Sequence, residues 1–185
     1  LVLHSIIFNL DSDEPIKTNE LDVFLGKHFL VTYQSNPIPV VDKVRQTIER
    51  DPRFLQRGAD HLFYKLADDL VADAMPVVDL MDDTIDTIED EIFTSTNQKL
   101  LERIFRIKRS LMHLRRILMP QREVFNKLAR GDDHVIDIEE RVFFRDIYDH
   151  LVRLFDITEG LRDLISGALE TYLSVINNRM NDVMK

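Results

Sequence analysis

The sequence contains no cysteine. Disulfides, thiolate metal sites and cysteine nucleophiles are therefore excluded, and a reducing compartment is permitted. No uncharged apolar run approaches the ~20 residues that a membrane-spanning helix needs, so the chain as given reads as soluble. No signal peptide is visible. Leu1-Val-Leu-His lacks both an initiator methionine and a basic n-region, which fits a trimmed chain. There is no phosphate-binding glycine loop, no nucleophile elbow and no zinc-protease spacing. The six histidines (His4, His28, His61, His113, His134 and His150) are scattered rather than clustered. Nothing in the chain assembles into an enzyme site. Positive charge is also missing locally, because no Lys, Arg or His lies between Leu66 and Gln98. The net charge of −9 argues against nucleic-acid binding, which requires a basic face.

What is present suits a globular helical protein, with 44% hydrophobic and 31% charged residues. The N-terminal third offers about three strands: Leu1 to Asn9, Leu21 to Leu25 and His28 to Gln34, the last two across a turn at Gly26-Lys27. Three strands make a marginal sheet that must pack on helices or pair with further strands. Val40 to Arg50 reads as a helix, stopped by Asp51-Pro52. His61 to Phe93 reads as one helix kinked at Pro76, and Gln98 to Ala129 as the next, with a kink expected at Pro120. The loop 94–97 joins them as an antiparallel hairpin.

The two hairpin helices have opposite charge. The first carries ten carboxylates from Asp68 to Glu91, and the second is studded with Lys and Arg from Lys99 to Arg130. Mutual attraction with solvated outer faces is one reading, and an acidic tip that concentrates cations is the other. Ile136 to Lys185 has no proline and only two glycines. A 3-4 spacing through Ile147, Leu151, Leu154, Thr158, Leu161, Ile165, Ala168, Tyr172 and Val175 puts one seam on a single long helix. At about 1.5 Å per residue this rod is roughly 70 Å long, more than a compact domain of this size needs. The fold class expected is α+β, mostly α: a small sheet packed with helices, a long hairpin and a long stalk helix. The expected divisions are 1–56, 57–132 and 133–185.

Two acidic features invite a chemical reading. Asp146 and His150 lie four apart on the rod, either as a metal pair or as an i,i+4 ion pair. Asp68 and Asp69 point about 100° apart, so one of them faces the core or a subunit boundary. There it needs a basic residue, a backbone donor or a hard cation.

Four segments together resemble one family: Tyr64-Lys-Leu-Ala-Asp68 with the acidic helix after it; Lys108 to Val124; Phe144-Arg-Asp-Ile-Tyr-Asp-His150; and Tyr172 to Lys185. In this order they look like the cytoplasmic part of a CorA-type divalent-cation transporter. The resemblance implies that the last helix continues into a first transmembrane segment beyond Lys185. It also implies a homopentamer at the cytoplasmic face of the cell membrane, with five long helices forming a stalk to the pore. Mg²⁺ is the implied cation, both regulatory and transported, with Co²⁺ and Ni²⁺ also carried and Zn²⁺ in one branch. Asp146 matches a stalk aspartate that helps hold regulatory Mg²⁺ between subunits, and Asp68 a second acidic position nearby. His150 is the third candidate ligand. Asn181 and Met184 match pore-facing positions, and Glu170 one that faces the stalk axis. The rival reading is a soluble helical scaffold that docks a partner protein through the charged hairpin.

Overall fold

The computed structural model describes every residue except Thr96, Asp133, Met184 and Lys185, and describes Val183 by its backbone alone. Three strands, β1 (Val2–Phe8), β2 (Ile16–Gly26) and β3 (Phe29–Gln34), form one antiparallel sheet in that order. Register pairs Leu3 with Leu21, Phe8 with Ile16, and Phe24 with Val31. β2 starts at Ile16, five residues before the expected Leu21. Its first half, Lys17-Thr-Asn-Glu20, is polar but is held in the ladder by β1. At one end of the sheet Leu3, Leu21 and Val23 are buried. At the other, burial passes to the opposite face through Ile6, Phe8 and Ile16. The twist of the sheet lets both faces find cover, and its strands pack on the helices at 59–72, 75–94 and 98–130.

Helix α1 (Pro39–Arg50) begins with a proline in its first turn, where the missing N–H costs nothing. A short 3-10 helix, Pro52–Arg57, follows and had no sequence signal. The single kinked helix expected over 61–93 is two helices, α2 (Ala59–Ala72) and α3 (Met75–Thr94). Asp73 and Ala74 keep right-handed helical dihedrals, but Ala74 N–H bonds Val71 O in a tightened turn. Pro76 has no N–H for the carbonyl four residues earlier, so the ladder divides there. Pro120, in contrast, lies inside the continuous 33-residue α4 (Gln98–Arg130). In the adjoining turn the Gln121 side-chain amide donates to Ile117 O at 3.2 Å. Asn97 caps the start of α4 by accepting from Leu100 N–H at 2.9 Å.

Gly131 ends α4 at φ 75°, with its N–H on Leu128 O and the Asp132 N–H on Lys127 O, a Schellman arrangement. A side chain at Gly131 would also collide with the Arg141 guanidinium, so the glycine seats the start of the next helix against the end of this one. The rod, α5 (Arg141–Val183), has 43 residues and starts five later than the expected Ile136, because 138–140 form a turn.

The expected seam is the buried face of α5: Ile147, Leu151, Leu154, Leu161, Ile165, Ala168 and Tyr172 all lie in the core. Thr158 is buried among them, and its hydroxyl is satisfied by donating to Leu154 O at 2.7 Å. α5 runs antiparallel to α4, as Arg115–Glu159 (3.2 Å) and Tyr172 Oη on Asn97 O (3.1 Å) show. It also lies along α3, where Arg179 donates to Phe93 O at 3.0 Å. Between the two charged helices, Arg103–Glu91 is the ion pair observed among the described residues. The hairpin is therefore held mainly by apolar packing on the rod, through Val78, Met81, Ile85, Ile88 and Ile92 on one side and Ile104, Ile107, Leu111 and Leu114 on the other. Beyond Tyr172 burial fades, and Asn177 to Asp182 are all exposed.

Candidate functional site

The acidic positions singled out from the sequence meet at the junction of α2 and the first turns of α5. Tyr64 packs its ring on Phe143 at 4.9 Å between centroids, which brings the two helices together just below Asp68 and Asp146. Burial pushes the Tyr64 hydroxyl above its usual pKa. Asp68 adds to the rise, Lys65 opposes it, and Asp146 and then Asp69 add again. Asp68 and Asp146, from different helices, thus act on one phenol. Asp68 is half-buried and its carboxylate lies 3.9 Å from His150 Nδ1. The expected Asp146–His150 pairing is not made, because His150 turns to α2 instead of along its own helix. Asp146 is exposed and makes no hydrogen bond or ion pair among the described residues.

Asp69 resolves the other acidic question. It is the buried member of the pair, and its partners are basic: Lys65 Nζ at 2.6 Å and Lys43 Nζ at 3.6 Å. The second distance is an ion pair and not a hydrogen bond, which is why one carboxylate oxygen of Asp69 has no hydrogen-bond partner. Two lysines satisfy this charge without a cation.

Among the described residues no group of three or more His, Asp or Glu is arranged to hold a metal ion. One chain presents two carboxylates and an imidazole at the α2–α5 junction. That donor set fits Mg²⁺ in one respect. A magnesium ion keeps several waters and is often bound through one or two carboxylates, so an exposed half-site suits a hydrated ion and would not enclose a bare one. The other positions lie far down the rod. Glu170 and Asn181 are exposed, and Met184 lies outside the described residues.

A buried polar cluster at the same junction escaped the sequence reading. His61 Nδ1 is 2.8 Å from Glu140 Oε2, and Arg57 donates to Glu140 Oε1 at 3.0 Å. Asp60 accepts from the backbone N–H of His61 at 2.9 Å and of Asp137 at 3.0 Å. Phe54, Tyr64 and Phe143 surround the His61 ring. These groups lie 77 to 83 residues apart in the chain, a separation no local pattern reports. They clasp the start of the rod to α2.

The outer face of α3 is charged as expected. Burial, followed by Asp86, Asp83 and Asp79, holds the Asp82 carboxyl above its usual pKa. A raised folded-state pKa means that the folded chain binds this proton more tightly. Its contribution to stability is full below the ordinary aspartate value, about 3.9, and is lost as pH rises through the raised one. Asp82→Asn should therefore stabilise the chain at pH 7 by a small amount, about 0.5 kcal/mol or less after solvent screening, seen as a slightly higher melting temperature. The gain should vanish near pH 3 and shrink with salt. A mutant no more stable than the parent at pH 7 and low salt would show that the repulsion is already screened.

A three-stranded sheet, a charged helical hairpin and a rod that outreaches both define the class, a mostly helical α+β domain with a long stalk helix. The CorA-like Mg²⁺ transporter family model matches residues 1–185, and the chain belongs to that family. The cobalt/magnesium transport protein CorA of Thermotoga maritima is 34% identical over 171 residues, covering 92% of this chain and 49% of its own length. The chain thus spans about half the length of the curated relatives it matches. The complete structure of the CorA magnesium transporter from Methanocaldococcus jannaschii superposes with a TM-score of 0.84 at 20% identity, over 99% of this chain and 58% of that one. The ZntB cytoplasmic domain from Vibrio parahaemolyticus gives 0.65 at 16% identity, over 98% of this chain and 69% of that one. At these identities the solved structures establish the fold alone. No helix among the described residues is long and apolar enough to cross a membrane.

Proposed function

We propose that this chain is the cytoplasmic, cation-responsive part of a CorA-like divalent-cation transporter that works as a homo-oligomer, a pentamer by the family resemblance, with Mg²⁺ as its principal substrate. The observation that carries the reading is Asp146: an exposed carboxylate on the rod, without an ion pair among the described residues, that acts together with Asp68 on the Tyr64 hydroxyl. A neighbouring copy would present carboxylates of its own across the boundary. Asp146 and Asp68 would then hold a hydrated Mg²⁺ there, and the ion supplies the positive charge that offsets their repulsion. His150 beside Asp68 tempers the charge of the half-site. A ligand that favours the clamped arrangement shifts the population of rods toward it and so biases the pore. Exposed Glu170, Asn181 and Met184 would face the axis of the assembled stalk. Asn181 would offer amide oxygens to a hydrated ion passing down it. The 34%-identical relative is a cobalt/magnesium transport protein, which favours Mg²⁺ or Co²⁺ over Zn²⁺. The reading is of a transporter part and not of an enzyme.

The test is Asp146→Asn in the full-length parent protein. Mg²⁺ should protect the parent from limited proteolysis, and the substitution should raise the protecting concentration by about 5-fold or more, the lower range of coupling between sites. Unchanged protection across the titration would remove Asp146 from any sensor.

A further inference from the structure

A cleft with a basic wall lies on α4, on a different part of the molecule from the α2–α5 junction. Between α4 and the β1–β2 loop is a cavity of about 290 Å³, lined on the helix side by Arg106, Arg109, Ser110 and His113. On the same helix Arg103 and Arg115 pair with carboxylates. Arg106 and Arg109 form no ion pair among the described residues. Arg106 donates through one Nη to Leu10 O at 3.0 Å and Ser12 O at 3.4 Å, which fixes its guanidinium over the loop and leaves its other donors for the cavity. Arg109 makes one long bond, from Nε to Phe105 O at 3.4 Å.

Ser110 points to a ligand independently of the arginines. It is 4% exposed and lines the cavity, yet its hydroxyl makes no hydrogen bond among the described residues. Other helix hydroxyls here, at Thr47, Thr84, Thr158 and Ser166, bond back to the carbonyl four residues earlier. A hydroxyl that faces the cavity with no protein partner, beside two arginines of the same wall, is a donor set for a phosphate oxygen.

Two further features narrow the ligand. A second groove shares Arg106 and Arg109 and is completed by Phe105 and Glu102. Phe105 is 44% exposed, so a ring lies open one helical turn from the phosphate donors, where a base can stack on it. Glu102 adds an acceptor for an amino group at the edge of such a base. On the loop side the mouth carries the carboxylates of Asp13 and Glu14. These would repel bare phosphate and tolerate phosphate that carries a divalent cation.

We propose that the cleft between α4 and the β1–β2 loop binds a nucleoside polyphosphate as its divalent-cation complex, with phosphate on Arg106, Arg109 and Ser110 and the base on Phe105. The site is independent of Asp146, so it stands or falls separately from the sensor reading.

The experiment is calorimetric titration of the 185-residue chain with ATP plus equimolar Mg²⁺, with tripolyphosphate plus Mg²⁺ as the second ligand. Circular dichroism checks that each variant is folded. ATP should bind saturably. Arg109→Gln, an exposed position, should weaken it by about 10-fold or more, and Ser110→Ala by about 5-fold. Phe105→Ala should weaken ATP by about 10-fold and leave tripolyphosphate unchanged. No saturation up to millimolar ATP, or an affinity that both Arg109→Gln and Ser110→Ala leave intact, would overturn the site. Tripolyphosphate binding as tightly as ATP would overturn the nucleotide as its ligand.

Discussion

Phe144→Ala is expected to destabilise the chain by about 3–5 kcal/mol, the range for removing a buried aromatic ring. The Phe144 ring is fully buried where three helices meet. It packs on Phe63 of α2 at 5.7 Å and on Phe125 of α4 at 6.3 Å, and Tyr64 meets it edge-on at 6.4 Å. Phe63 and Phe125 also stack on each other at 6.1 Å, so the cluster is closed and has little room to collapse into a gap. Urea unfolding followed by circular dichroism would measure the loss. A cost below about 1 kcal/mol would show that the remaining rings do refill the space. Phe144 also stands two residues before Asp146, and loosening it should blur the α2–α5 junction as well as lower stability.

Glu140→Ala should cost about 2–4 kcal/mol, below the upper range for breaking a buried pair because half-exposed Arg57 can return to water. His61 cannot do so. It is enclosed by Phe54, Tyr64 and Phe143, and losing Glu140 leaves its Nδ1 without a partner. Glu140→Gln keeps the shape and one acceptor, and should cost less than half as much. The same urea experiment at pH 7.5 separates the two. Equal losses for Ala and Gln would show that the charge, and not the hydrogen bond to His61, holds the clasp.

The α+β class, the charged hairpin and the rod were legible because each is written in a local pattern. The seam from Ile147 to Tyr172 repeats every three or four residues, and only a helix with one apolar face puts all of it in the core. What could not be read depends on distant partners. Lys17-Thr-Asn-Glu20 looks like loop until β1 pairs with it. The break at Asp73–Ala74 hides because the apolar period runs straight through it, as the period of a merely kinked helix would. Asp68 and His150 could be picked out as residues but not as neighbours: they lie 3.9 Å apart across two helices, and periodicity along α5 cannot report that. The Asp68–Asp69 pair could be narrowed to one inward carboxylate in need of a partner, but not to Asp69. Only the fold could supply Lys43, which lies on a different helix. The His61–Glu140 clasp had no sequence signal, since a lone histidine and a lone glutamate 79 residues apart carry no shared pattern.

The rod is fastened at two places: near its first turn by the Asp60–Asp137 and His61–Glu140 bonds, and near its far end by Tyr172 and Arg179 on the hairpin tip. Between them its apolar seam is packed on the hairpin, so rod and hairpin form one braced arm. The 43 residues of the rod span about 64 Å at 1.5 Å per residue, so a tilt of about 5° of this arm as a whole carries its far end through about 5 Å. That throw is comparable to one helical turn. Asp146 stands near the fixed end of that arm and Asn181 near the end that sweeps.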